Sequence, residues 1–127
     1  MFRAKGRPWE EIVERYRSLV EVHKHPSYLP MLEFVRQLAT SEFAANLYAT
    51  TSMNTLCVSD LPGFDMDREL LRIDFDPEGH QFKFEYQETM SPLYKRWRKT
   101  SPPEDAFPAF VRFLKRKKWI RSSPSMS

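Results

Sequence analysis

A short stretch near the end of the chain, Tyr94 to Lys99 ("YKRWRK"), places two aromatic rings among four cations. Surfaces of this composition bind single-stranded nucleic acids, because cations contact phosphates and rings stack on bases. Arginine, tryptophan and tyrosine are also enriched among the residues that dominate binding between proteins. The stretch therefore predicts a binding surface. The alternative is structural: a ring such as Trp97 packs on a sheet edge while the cations stay in water.

The three histidines do not predict a metal site. His23 and His25 are separated by one residue, so on a helix they point in nearly opposite directions and cannot bind the same ion. His80 lies in a predicted turn. A metal site needs three or four converging ligands, and the sequence does not bring such a set together. We therefore expect no metal.

Cys57 is the one cysteine of the chain and lies in a predicted strand between Leu56 and Val58. A nucleophilic cysteine needs a base nearby, and no histidine is close to Cys57 in the sequence. We interpret it as a structural residue. Because a lone cysteine cannot form an intramolecular disulfide, and because residues 1–7 lack the apolar run of a secretory signal, we expect a cytoplasmic protein.

Carboxylates are concentrated between residues 65 and 76. Asp65, Asp67 and Glu69 alternate in a predicted loop, a spacing similar to that of calcium loops. The glycine and the distal glutamate that such loops require are missing, so we interpret the segment as a solvated loop followed by a strand.

An enzyme is the least supported class of function. Its site would have to be assembled from scattered residues such as Asp74, His80 and Glu85. None of the three glycines stands in a dinucleotide-binding or phosphate-loop pattern, so we expect no cofactor of those kinds.

Charge is distributed unevenly along the chain. The net charge is +3, but residues 65–88 contain three Lys/Arg against eight Asp/Glu, whereas residues 89–127 contain ten against two. This asymmetry predicts either a match between the two segments within the molecule or a basic face that meets an acidic partner.

Two amphipathic helices are predicted in the N-terminal third. Between Pro8 and His25, apolar residues recur at spacings of three and four. Pro26 should end this helix, and a second helix should begin near Ser27 or Leu29. The apolar face of the second helix would consist of Met31, Leu32, Val35 and Leu38, with Phe34 beside it.

Four strands are predicted to follow. Residues 46–52 and 55–61 would form a hairpin that turns at Met53-Asn54. Residues 70–76 and 81–88 would form a second hairpin around the turn "PEGH", with one apolar and one charged face.

Cross-strand ion pairs are expected on the charged face of the second hairpin. Lys83 would lie near Asp74, or Arg72 near Glu85.

The last predicted helix runs from Ala106 to Lys118, with Asp105 as its cap and Pro108 in its first turn. Its apolar stripe would be Phe107, Phe110, Val111 and Leu114, with Phe113 at the margin. Cations in its last turn face the negative end of the helix dipole, which by itself explains their clustering. Residues 122–127 should form a disordered tail.

These elements predict one α+β domain over residues 1–121: two N-terminal helices, a four-stranded antiparallel meander and a C-terminal helix on one sheet face. No segment is long and apolar enough to cross a membrane. The leading hypothesis is a non-enzymatic cytoplasmic protein that binds another protein, or a second copy of itself, as an adaptor, inhibitor or immunity-type protein. The alternative is a nucleic-acid-binding protein that uses the same patch, Tyr94–Lys99 and Lys115–Arg121. The predicted binding residues are Tyr94, Lys95, Arg96, Trp97, Arg98, Lys99, Arg112, Lys115, Arg116 and Trp119.

Overall fold

In the part of the chain that the structure describes, three helices pack against one antiparallel sheet, so the predicted α+β class is confirmed. The structure is a computed structural model that describes residues 8–60, 70–87, 96–117 and 119. Its helices are α1 (Trp9–Glu21), α2 (Leu29–Ala39) and α3 (Pro103–Lys117), with short 3₁₀ helices at Pro26–Tyr28 and Glu42–Asn46. Its strands are β1 (Tyr48–Ser52), β2 (Thr55–Ser59), β3 (Leu70–Asp76), β4 (Gln81–Gln87) and β5 (Arg96–Ser101). The predicted acidic loop and C-terminal tail lie outside the described residues.

Within the described residues, the sheet has five strands rather than the predicted four, in the meander order β1-β2-β3-β4-β5. The additional strand is β5, which pairs antiparallel with β4 and places Trp97 opposite Tyr86 and Arg98 opposite Glu85. Its sequence, "RWRKTS", has a single apolar residue, so it shows no alternation of apolar and polar residues. An edge strand tolerates this composition, and its cations discourage pairing with other chains.

Both hairpins turn where the sequence predicts. Ser52 pairs with Thr55 around Met53-Asn54, and Asp76 pairs with Gln81 around residues 77–80. β1 begins at Tyr48 instead of residue 46, because the preceding residues form a 3₁₀ helix.

The helix ends differ from the prediction at two places. α1 ends at Glu21, before His25, and the following Lys24 adopts a left-handed conformation (φ 56°). α3 begins at Pro103, so Asp105 lies in its first turn and is not the cap.

Pro108 is therefore inside α3 rather than in its first turn. It is exposed, so water can reach the backbone carbonyl that loses its helical partner.

The core lies between the helices and one face of the sheet. The alternating apolar residues of β3 and β4 are buried, as predicted, and so is the predicted face of α2. On α3 the buried side is rotated relative to the prediction: Phe113 is buried and Val111 is only partly buried. The ring of Phe34 joins the layers, with centroids 5.2 Å from Phe82 and 5.5 Å from Phe110.

The turn between β1 and β2 contains a strained residue. Met53 has φ 56°, a left-handed conformation that costs a non-glycine residue roughly 1–2 kcal/mol. Its side chain is 84% exposed, so it contributes little packing in return.

We expect Met53→Gly to raise the free energy of unfolding by about 1 kcal/mol, because glycine adopts this conformation without a steric penalty. Urea unfolding of the two proteins measures the difference. The matched control is Asn54→Gly in the same turn, where φ is not positive and glycine should destabilise. If the two substitutions changed the free energy of unfolding equally, the backbone of Met53 would not be strained.

Tyr16 is the largest fully buried side chain of α1. Its hydroxyl donates a hydrogen bond to the backbone carbonyl of Asn54 (3.0 Å), which fastens α1 to the β1–β2 turn. Burial raises the pKa of the Tyr16 phenol far above its usual range.

The folded state favours the neutral phenol, so Tyr16 contributes its full stabilisation of the protein at pH values below the unfolded-state pKa of about 10. As the pH rises above that value, this contribution is lost by roughly 1.4 kcal/mol per pH unit. We expect Tyr16→Phe to cost about 1 kcal/mol at neutral pH through the lost hydrogen bond. Between pH 10 and 11.5, however, the variant should lose stability less steeply than the wild type.

Denaturant unfolding at a series of pH values tests this, with Tyr48→Phe on the exposed β1 edge as the control for loss of a hydroxyl. If the free energy of unfolding fell with pH in parallel for the wild type and Tyr16→Phe, the loss of stability at high pH would not arise from Tyr16.

Candidate interaction surface

Side chains of β5 alternate between the two faces of the sheet, so the residues of the predicted basic and aromatic stretch are divided between these faces. Trp97 pairs with Tyr86 and Lys99 pairs with Phe84, so both lie on the helix-bearing face of the sheet. Arg98 lies on the opposite face. Tyr94, Lys95 and the side chain of Arg96 are outside the described residues. The described members of this stretch therefore do not form one surface.

Both described tryptophans of the predicted surface pack against the C-terminal half of α3. The half-buried Trp97 ring is 5.2 Å from the ring of Phe113. Trp119 is only 5% exposed, and its ring lies 5.3 Å from Phe113 and 6.0 Å from Tyr86. Its backbone N–H donates to the carbonyl of Leu114 (3.0 Å), which folds the chain back after the helix.

The expectation that Trp119 presents its ring to a partner is therefore corrected: the ring belongs to the hydrophobic core. Large aromatic rings bury more apolar area than other side chains, and burial of the Trp119 ring stabilises the folded protein.

Some of the C-terminal cations are matched within the molecule. Arg98 Nε lies 2.8 Å from Glu85 Oε2, with side chains 66% and 32% exposed. Asp74 does face Lys83 in the register, as predicted, but the Lys83 ammonium is nearer to Asp76 (3.9 Å). Such exposed pairs contribute little stability, yet they offset positive charge on this face of the sheet.

The outer face of α3 presents a different set of cations. Arg112, Lys115 and Arg116 are exposed, and they lie opposite the buried side of the helix at spacings of three and four. None of the three forms an ion pair with another described residue. Lys117 instead turns towards the sheet, where its ammonium lies 4.4 Å from the centroid of the Tyr86 ring.

The opposite end of the same helix is acidic. Glu104 and Asp105 stand in the first turn, so α3 carries anions at its positive dipole end and cations at its negative end. Sequence reasoning found the basic end but did not anticipate that Glu104 borders a pocket.

The residues of the enzyme hypothesis do not converge. The ring of His80 stands on the turn, 5.7 Å from Phe75, which is on the helix-bearing face. Asp74 and Glu85 lie on the opposite face of the sheet. Among the described residues, no three His, Cys, Asp or Glu side chains are grouped to hold a metal ion.

Cys57 is buried on the face of the sheet opposite the helices, where it contacts Leu70 and faces Arg72 across the strands. Burial raises the pKa of its thiol. The thiol therefore stays protonated at neutral pH, which disfavours the thiolate that a nucleophile requires.

Comparison of the chain with protein-family models, with curated proteins and with solved structures found no match. In the part of the chain that the structure describes, no helix has the length and apolar character needed to cross a membrane.

We expect Trp119→Ala to lower the free energy of unfolding by roughly 3–5 kcal/mol, the usual cost of truncating a buried aromatic residue. Arg98→Ala should cost less than about 1 kcal/mol, since it removes only an exposed ion pair. Urea unfolding compares the two variants. A Trp119→Ala variant as stable as the wild type would refute its place in the core.

Proposed function

We propose that this protein acts by binding another protein with an acidic surface, and that the contact is the outer face of α3. One observation carries the proposal: Arg112, Lys115 and Arg116 are exposed together, and none is offset by an ion pair among the described residues. An acidic partner would provide the missing counter-charges, which speeds association and favours one orientation.

The helix dipole explains only part of this cluster. Its effect declines within the last turn of a helix, where it accounts for Lys115 and Arg116. Arg112 lies a turn earlier, so its position gains little from the dipole. A binding role accounts for all three residues.

A protein partner is favoured over a nucleic acid for two reasons. Base stacking needs exposed rings, whereas the rings of Trp97 and Trp119 pack against Phe113. The first turn of α3 also carries Glu104 and Asp105, whose negative charges would repel phosphates.

The proposal describes a non-enzymatic adaptor, inhibitor or immunity-type protein that works in the cytoplasm. Burial raises the pKa of the Cys57 thiol, and His80 packs on Phe75 whereas Asp74 lies on the other face of the sheet; both observations support a binding role over catalysis.

The test uses a triple variant, Arg112→Gln with Lys115→Gln and Arg116→Gln. The matched control removes three exposed cations elsewhere, Lys24→Gln with Arg36→Gln and Lys83→Gln. Three charge pairs at about 0.5 kcal/mol each correspond to roughly a tenfold loss of affinity. Affinity capture from the native host should recover a partner with the wild type and the control, and much less of it with the α3 variant.

Carbodiimide cross-linking identifies the contact, because it joins a lysine amine directly to a neighbouring carboxylate through an amide bond, without a spacer. We expect Lys115 to be linked to an aspartate or glutamate of the captured protein. Capture that disappears after nuclease treatment would instead support the nucleic-acid alternative. Equal capture by the α3 variant and the control would refute the proposed surface.

A further inference from the structure

A pocket of about 550 Å³ lies at the acidic end of α3, between α2, α3 and the β3–β4 turn. Its volume is within the range of small-ligand sites. Its lining combines three phenylalanine rings with carboxylates and prolines. The lining residues on which the argument depends are Phe34, Phe82, Phe107, Glu33, Glu104 and His80.

The apolar part of the lining is held rigidly. The ring of Phe34 lies 5.2 Å from Phe82 and 5.8 Å from Phe107, and Phe34 and Phe82 are almost entirely buried. Phe107 is only partly buried, so it leaves ring surface accessible in the pocket. An apolar stem can therefore bind here without reorganisation of the core.

The charged part of the lining is negative and comes from two helices. Glu33 on α2 and Glu104 on α3 are exposed, and neither forms an ion pair with a described residue. Two carboxylates beside aromatic rings attract a cation, through charge and through the negative faces of the rings.

An anion is disfavoured, although two helices begin near this pocket. Anions bind at helix N-termini through free backbone N–H groups. Here Pro30 and Pro103 occupy the beginnings of α2 and α3, and Pro108 follows on the rim, so three lining residues have no N–H to donate.

We propose that this pocket binds an organic cation on an aliphatic stem, the chemistry of a lysine or arginine side chain. The stem would lie on Phe107, and the cationic group would lie between Glu33 and Glu104. The site uses the acidic end of α3, so it does not depend on the proposed role of the basic end.

The test is an NMR titration of isotope-labelled protein with n-pentylammonium and n-pentylguanidinium. At least one of them should cause saturable shifts that include the ring signals of Phe107 and His80. Pentanol and pentanoate, which keep the stem but are neutral or negative, should bind several-fold more weakly.

The double variant Glu33→Gln with Glu104→Gln should weaken binding of the cation about fivefold or more, since two charges are removed while the shape is kept. Its control is Glu10→Gln with Glu42→Gln, which removes two exposed carboxylates outside the pocket. Because Glu10 lies in the first turn of α1, as Glu104 does in α3, the control also covers the loss of a favourable helix-dipole interaction.

A capped lysine or arginine, blocked at both backbone ends, identifies the source of the cation. If it binds as tightly as the simple amine or guanidine, the site takes a basic side chain of a partner. If only the simple compounds bind, the site takes a free small molecule, and the site itself is still supported. Pentanoate binding as tightly as the cations, or unchanged binding by the Glu33 and Glu104 variant, would overturn the proposal.

Discussion

Burial of the aromatic side of the β3–β4 hairpin is the interaction on which the remaining structure depends. Phe75, Phe82, Phe84 and Tyr86 point to one face of the sheet, where they cannot remain in water without a large hydrophobic cost. α2 and α3 cover these rings, and Phe34 contacts both the hairpin and α3. The positions of the helices, and hence of the groups they expose, follow from this packing.

The same packing separates the aromatic from the basic residues of the C-terminal region. Because side chains alternate along a strand, β5 directs Trp97 towards α3 and Arg98 towards Glu85 on the other face. Trp119 returns to the core after the helix. Among the described residues of this region, Arg112, Lys115 and Arg116 are exposed together on α3, and none of them forms an ion pair with a described residue.

α3 combines stability and proposed binding in one element. Its acidic first turn and basic last turn both suit the helix dipole, so these charges favour the helix even without a ligand. The two ends differ in their surroundings. Glu104 lines a pocket together with aromatic rings and a second carboxylate, Glu33, whereas Arg112, Lys115 and Arg116 project from an exposed helix face. The two ends thus suit different ligands: a single cationic group at one and an acidic protein surface at the other.

The sequence by itself determined the elements whose patterns are local: the amphipathic helices, the two hairpin turns and the apolar face of β3 and β4. It did not reveal β5, because an edge strand buries one face weakly and its cations hide the alternation. Only the tertiary structure decided that Trp119 is buried and that Glu33 and Glu104 share a pocket. Such contacts join residues far apart in the chain, and no local spacing records them.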